Sequence, residues 1–254
     1  MAVPPLEREL LDFAVDLARR AGSLSLRWFR AADLAVERKQ DGSPVTQADR
    51  AAEDLVRGEI EARFPEDAIL GEEHGSRTGR SGRRWVIDPI DGTTAFTRGV
   101  PLFSTLIAME DEHGPALGVI YMPALAETVA AGRGLGCFAN EKRATVSART
   151  EVAGAVLTAS GFEHWPDRML VAAKRAGCVL RTWGDGYGYS LVATGRADAM
   201  VDYGVSAWDL APMPVILAEA GGRFSALDGS PRIDAGSGLG TNGALHDALL
   251  RALG

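Results

Sequence analysis

Apolar residues recur at near-helical spacing between Leu6 and Phe29. Leu6, Leu10, Phe13, Leu17 and Leu24 fall toward one side, with glutamate and arginine between them. Pro4 and Pro5 lie just ahead, where a helix start tolerates proline. The pattern predicts an amphipathic helix packed on a core. A second helix is expected from Thr46 or Ala48 to Phe64, closing before Pro65. Arg84 to Ile87 is a short apolar run that reads as a strand delivering Asp88. Leu102–Glu110 and Ala116–Tyr121 read as an antiparallel pair turning at Asp111–Gly114, with a further strand at Thr128–Ala131. Gly132, Gly134 and Gly136 match no phosphate loop and read as turn residues.

From Ala155 onward the rhythm changes to strand, helix, strand. Strands are expected at Val156–Ser160, Val179–Thr182 and Ala199–Val201. Helices are expected at Pro166–Ala176, Tyr189–Ala193 and Asp209–Ala220. The change near residues 145–153 divides the chain into an α+β half, 1–148, and an α/β half, 149–254. No linker separates them, so the expectation is one compact unit of alternating helical and sheet layers.

Composition narrows the function classes. A formal net charge of −7 argues against nucleic acid or an anionic membrane as partner, since either needs a basic face. It leaves a phosphorylated small molecule open, because cations held by acidic side chains supply positive charge locally. Charges interrupt Glu7–Arg30 every few residues, leaving no apolar run for a secretory signal or a membrane span. Cys137 and Cys178 lack zinc-motif spacing and are too few for a disulfide scaffold. A cytoplasmic location is the expectation.

The densest chemistry lies in Trp85-Val86-Ile87-Asp88-Pro89-Ile90-Asp91-Gly92-Thr93-Thr94. Pro89 fixes its own φ and restricts Asp88, so the turn carrying both aspartates is stiff. Two short carboxylates on such a turn suit one or two hard cations with oxygen ligands. Gly92 permits close backbone approach, and the N–H groups of Gly92, Thr93 and Thr94 would open a helix toward phosphate. Three other segments read plainly when taken alone. Gly71-Glu72-Glu73 is an acidic turn, Asp209 after Trp208 is a helix N-cap, and Thr46 and Asp49 mark a helix start.

Together, these segments resemble the inositol monophosphatase family. Its members carry a Gly-Glu-Glu turn, an Asp-Pro-Ile-Asp-Gly-Thr segment and a distant Trp-Asp before Glu-Ala-Gly-Gly. Here these are Gly71–Glu73, Asp88–Thr93, and Trp208-Asp209 with Glu219–Gly222, in the family's order and across nearly the whole chain. The resemblance implies a layered α-β-α-β-α sandwich, a homodimer, and a Mg²⁺-dependent phosphomonoesterase using two or three ions. It implies that Glu72, Asp88 and the Ile90 carbonyl hold one ion, and that Asp88, Asp91 and Asp209 hold a second. It further implies that Thr93, polarised by Asp49, helps Glu72 orient the attacking water. Asp91, Gly92, Thr93 and Asp209 would also face the substrate. The four histidines, His74, His113, His164 and His246, form no ligand cluster.

Arg181 to Asp198 narrows the resemblance further. It is similar to the histidinol-phosphate phosphatase branch, which has Gly-Asp-x-Tyr-Gly-Tyr followed by Leu-Val-Ala-Thr-Gly-Arg-Ala. Inositol phosphatases carry a small residue where Asp185 stands, and Asp202 falls at an acidic substrate position of the family. Both would meet the ammonium or imidazole of the leaving alcohol through charge-assisted hydrogen bonds. Asp185 also reads as a helix cap, Asp202 as a strand-end residue. Ala95 departs from the Lys or Asn often found after Asp-Gly-Thr, and Ser206 varies with substrate in the family. The implied reaction is histidinol phosphate to histidinol and phosphate, a step of histidine biosynthesis. The alternatives are an inositol, sugar or aminonucleoside phosphate and, from another class, a non-catalytic role beside RNA polymerase.

Overall fold

The N-terminal amphipathic segment forms helix α1 (Arg8–Ser25), which buries Leu10, Leu11, Ala14, Leu17 and Ala18 along one stripe. The structure, a computed structural model, describes residues 3–39 and 42–254. A two-stranded antiparallel ribbon, β1 (Val36–Arg38) and β2 (Pro44–Thr46), leads into α2 (Gln47–Arg63). Thr46 caps α2 and Asp49 returns the bond to the Thr46 N–H, so each satisfies a donor the helix leaves open.

Both helices lie on an eight-stranded sheet ordered β10-β9-β8-β7-β6-β5-β3-β4. Its strands are β3 (Ala68–Gly71), β4 (Gly75–Arg77), β5 (Arg84–Asp91), β6 (Ser104–Asp111), β7 (Gly114–Met122), β8 (Glu127–Gly132), β9 (Gly136–Ala139) and β10 (Lys142–Arg143). All pairs are antiparallel except β3 with β5, where Gly71 aligns with Ile87. That parallel register brings the residue after Gly71 beside Asp88. The short helix α3 (Thr93–Thr97) follows β5.

The second sheet is ordered β12-β11-β13-β15-β14. It comprises β11 (Val156–Ala159), β12 (Val179–Arg181), β13 (Ala199–Tyr203), β14 (Arg223–Ser225) and β15 (Ser237–Thr241). Helices α5 (Asp185–Ala193) and α7 (Met213–Glu219), with α6 (Ala207–Leu210) just ahead, fill the space between the sheets. Tyr189, Val192, Met213 and Ile216 there share one core with Leu106, Ile120 and Val129 of the first sheet. Helices α4 (Asp167–Arg175) and α8 (His246–Leu253) cover the outer face of the second sheet. The layers therefore run α-β-α-β-α, as expected.

Two local expectations need correction. The stiff turn at Pro89 is a bulge: β5 continues to Asp91, with its register against β6 shifting between Asp88 and Asp91. Proline, having no N–H for the ladder, fits where pairing is already interrupted. The helix expected over Asp209–Ala220 is broken in two, because Pro212 cannot donate and instead begins the second piece. That junction presses on β7 so closely that a side chain at Gly118 would come within 2.9 Å of the Pro212 Cα. Glu219, at the end of α7, accepts from Gly134 N at 2.7 Å and Gly136 N at 2.6 Å. The turn glycines of the first sheet are thus held by a helix of the middle layer.

Behind the second sheet, fully buried His246 lies 2.9 Å from Ser225 Oγ through Nε2 and 3.0 Å from Thr241 Oγ1 through Nδ1. Burial lowers its pKa from 6.5 to about 4. Between those pH values the unfolded chain takes up a proton that the folded one refuses. Stability is therefore lost as pH falls through this window, at about 1.4 kcal/mol per pH unit. The expected outcome, read by urea unfolding, is that the stability advantage of wild type over His246→Gln shrinks between pH 6.5 and 4. An advantage that does not change with pH would show that the fold leaves the His246 pKa unlowered.

Candidate active site

The bulged end of β5 carries Asp88, 1% exposed, and Asp91, 6% exposed, to the boundary between the two sheets. Asp209 arrives from the other side, on α6. Oxygens of all three lie within 4.8 Å of one another. Each aspartate has one oxygen held by the chain. Asp88 Oδ1 accepts from Ile90 N at 3.1 Å. Asp91 Oδ2 accepts from Ser104 Oγ and from Gly186 N, both at 2.6 Å. Asp209 Oδ2 accepts from Ser206 N at 2.6 Å, since Asp209 is the third residue of a capping box begun by Ser206. It is not the N-cap that its position after Trp208 suggests. Each carboxylate thus has one oxygen fixed by donors and offers an oxygen within 4.8 Å of the other two.

That arrangement is electrostatically costly without a cation. Burial, then Glu72, Asp91 and Asp209, push Asp88 well above the carboxylate range. Burial, then Asp185 and Asp209, do the same to Asp91. Burial chiefly raises Asp209 to about 6. Acidic groups that crowd while buried and hydrogen-bonded on their far sides fit a hard divalent cation with oxygen ligands.

Glu72 and Ile90, the remaining expected ligands, are differently engaged. Glu72 follows β3, its N–H donates to Ile87 O at 3.2 Å, and its charge acts on Asp88. It stands outside the three-aspartate cluster, however, and Lys39 Nζ bridges it to Glu73 at 2.6 and 2.7 Å. The Ile90 carbonyl accepts from Thr93 Oγ1 at 3.0 Å. Asp49 is fully buried, and burial raises its pKa to about 6. Its Oδ2 accepts from Thr46 N at 2.8 Å and Thr46 Oγ1 at 2.6 Å, while Oδ1 is without a partner among the described residues. No hydrogen bond joins Asp49 to Thr93 among the described residues, so the expected polarising contact is not formed here.

A cleft of about 520 Å³ opens over this cluster, lined by Glu72, Asp91, Thr93, Asp185, Asp202 and Asp209 among others. Gly92, at φ +83°, turns the chain into α3, and a β-carbon there would meet Asp185 Oδ2 at 3.0 Å. Asp185 is the first residue of α5, following Gly184 as N-cap, and has φ +52°. Its N–H donates to Ser160 Oγ at 2.8 Å, and that hydroxyl donates to Asp202 Oδ1 at 2.6 Å. Asp202 is 3% exposed, and burial raises it to about 7. Of the two expected substrate carboxylates, Asp185 is thus the more open and Asp202 the one behind it.

Sequence reasoning missed Lys39, Ser104, Ser160 and the Gly186 N–H. The one available signal was Gly184 and Gly186 around Asp185. A side chain on the first would overlap Ser160, and one on the second would come 2.9 Å from Asp91 Oδ2.

Comparison with known proteins agrees with this architecture. The profile of the inositol monophosphatase family matches residues 6–254. A histidinol-phosphatase of Chlorobaculum parvum is 43% identical over 247 residues, covering 91% of this chain and 94% of that protein. One of Mycobacterium tuberculosis is 41% identical over 253 residues, covering 96% and 97%. The solved Thermotoga maritima IMPase superposes with TM-score 0.87 at 30% identity, over 96% of each chain. The chain belongs to the inositol monophosphatase family. Within it, the protein is a phosphomonoesterase.

The charge crowding has a measurable consequence. A raised folded-state pKa in an acid means stability that is present at low pH and lost as pH rises through about 6 to 7, the values reached by Asp209 and Asp202. Mg²⁺ is therefore expected to raise Tm more at pH 8 than at pH 5, since its ligands must be deprotonated. Without metal, Asp88→Asn should be more stable than wild type at pH 8 by at least about 1 kcal/mol. Two unit charges 4 Å apart repel by about 4 kcal/mol at an effective dielectric of about 20. A metal-free Asp88→Asn protein weaker than wild type would contradict this account.

Proposed function

We propose that this phosphatase hydrolyses histidinol phosphate to histidinol and phosphate, with Mg²⁺ held by Asp88, Asp91 and Asp209 and by Glu72 at the cluster's edge. The observation that carries the substrate assignment is Asp185. Its carboxylate packs against Gly92, beside the aspartate cluster yet on the cleft side of it. An ester whose phosphate meets the cluster brings its leaving alcohol toward Asp185. A carboxylate there bonds an ammonium or imidazolium strongly and gains much less from a neutral polyol. The names of the Chlorobaculum and Mycobacterium relatives support the same choice.

Bound magnesium supplies positive charge for the phosphoryl group and acidifies a water molecule. The chain does the rest. Asp91 is kept in aim by Ser104 Oγ and Gly186 N, and Asp209 by Ser206 N. Glu72, exposed to the cleft on one side, orients the attacking water once Lys39 gives up Oε1. Thr93 would assist if its hydroxyl, now donated to the Ile90 carbonyl, were donated instead to Asp49 Oδ1, which has no partner among the described residues, leaving the Thr93 oxygen to accept from that water. The N–H groups of Gly92, Thr93 and Thr94 face the phosphate at the start of α3. In this reading the protein is a cytoplasmic homodimer that acts on small metabolites rather than on nucleic acid or membranes.

Phosphate release across a panel of phosphomonoesters with Mg²⁺ tests the assignment. Histidinol phosphate should lead the panel, and EDTA should abolish all turnover. Asp185→Asn keeps the shape and removes the charge, so kcat/KM for histidinol phosphate should fall about 10–150-fold, a charge-assisted bond being worth about 1.5–3 kcal/mol. Inositol 1-phosphate or glycerol phosphate should hardly respond. Equal losses on charged and neutral esters would make Asp185 a structural residue of the α5 start; it is not the helix cap that the sequence also suggested, since Gly184 holds that place.

The catalytic roles are tested separately. Asp91→Asn should lower both Mg²⁺ affinity and turnover by orders of magnitude. Thr93→Ala should keep the metal and lose about 10²–10⁴ in kcat, the range for a lost proton-transfer or water-positioning group. A Thr93→Ala rate within a few-fold of wild type would leave water positioning to Glu72.

A further inference from the structure

Asp49 and Glu53 stand one turn apart on α2, and both are fully buried. Asp49 serves the helix start, whereas Glu53 reaches across to the turn between β3 and β4. Its Oε2 accepts from Glu73 N at 2.7 Å, and its Oε1 accepts from His74 N at 3.1 Å and from Arg57 Nε at 2.7 Å. Arg57, one turn further on, also donates through Nη2 to the Gly75 carbonyl. With Glu72 N bonded to Ile87 O on β5, every residue from Glu72 to Gly75 is tied through its backbone. Gly71 completes the seat, since a β-carbon there would overlap the Glu53 carboxylate.

A fully buried carboxylate with three donors is an expensive way to hold a three-residue hairpin turn. An apolar residue with a self-bonded turn would serve folding as well. What the carboxylate adds is aim. Neither consecutive N–H can rotate without leaving a buried acceptor short of a partner, so the Glu72 Cα cannot drift from Asp88. The turn itself has Gly71 and Gly75 at its ends, the latter at φ +65°, and has little stiffness of its own.

We propose that Glu53, braced by Arg57, is a positioning residue for the cation site: it fixes the Glu72–His74 turn so that the Glu72 carboxylate is presented beside Asp88. The inference rests on the reading of Glu72 as a cation ligand. It assigns Glu53 no contact with substrate or ion. Glu53 belongs to the class of groups that act by orienting a ligand, whose loss costs about 10–100-fold in metal affinity or activity.

The test is Mg²⁺ titration calorimetry on wild type, Glu53→Gln, Arg57→Met and Glu72→Gln, alongside kcat and KM for a phosphomonoester at saturating Mg²⁺. Glutamine keeps the size of Glu53 but sets an NH₂ against one of the turn's N–H donors. The Kd for Mg²⁺ of Glu53→Gln should rise about 10–100-fold, while KM for the ester stays within about threefold of wild type. Arg57→Met leaves both backbone bonds and removes the brace, and its Kd should rise by about three- to tenfold. A folded Glu53→Gln protein with wild-type Mg²⁺ affinity, its Tm alone lowered, would make Glu53 a folding residue and overturn the proposal. Should Glu53→Gln fail to fold, Arg57→Met decides alone, and an unchanged Kd there overturns it. Failure of the underlying reading looks different. Wild type would then bind no Mg²⁺, or Glu72→Gln would bind it as tightly, and the positioning role would fall with it.

Discussion

Three crowded aspartates, Asp88 and Asp91 buried and Asp209 half-buried, with carboxylate oxygens within 4.8 Å of one another, are the constraint on which the rest of this structure turns. Like charges in a poorly solvated place repel, and each also loses its water. The fold meets that cost with oriented donors on the outward oxygens: the Ile90, Gly186 and Ser206 N–H groups and the Ser104 hydroxyl. What the donors leave facing inward is a set of oxygens suited to a hard cation. The raised pKa values of Asp88, Asp91 and Asp209 are the same fact in another form.

The donors come from both sheets' neighbourhoods, which explains why the layers must be packed as they are. Asp91 belongs to the first sheet, but one of its two donors opens α5 of the middle layer. Asp209 sits on α6, a short helix cut off by Pro212, and Pro212 itself is pressed against Gly118 of β7. The shared core of Leu106, Ile120, Tyr189, Met213 and Ile216 holds these pieces in register. Close approach has local requirements too. Gly184 and Gly186 flank Asp185 because Ser160 and Asp91 leave no room for side chains there. The residue proposed to read the leaving alcohol and the residue proposed to hold the cation are therefore joined through a single helix start.

Around the aspartates, acids of different standing share the region. Asp185 faces the cleft, Asp202 stands behind it across the Ser160 hydroxyl, and Glu72 is held by Lys39. Asp49 and Glu53 are fully inside. Exposure and bonding set what each can do. An acid open to the cleft can meet a ligand, and one whose oxygens are both spent on the backbone can only aim something else.

Much of the element pattern, though not β1, β2, β4, β9, β10, β14, β15 or α8, and the pair Asp88 and Asp91 were readable from the chain itself. Periodicity located α1 and α2 to within a few residues, because burial of one face imposes that spacing, and short apolar runs located β6, β7 and β8, which are buried on both faces. Asp88 and Asp91 were conspicuous because a proline between two short carboxylates is a local arrangement. Only tertiary structure could decide the rest. Pro89 lies in a bulge rather than a turn because β6 is there to pair with. Asp209 is a capping-box residue rather than an N-cap because of where α6 begins. Lys39 with Glu72, Glu53 with the Glu73 N–H, Ser160 with Asp202 and Gly186 with Asp91 are separated by 33, 20, 42 and 95 residues in the chain. Hydrogen bonds and charge pairs act over a few ångströms, so contacts between residues so far apart leave no periodic trace in the sequence and exist only once the layers have closed.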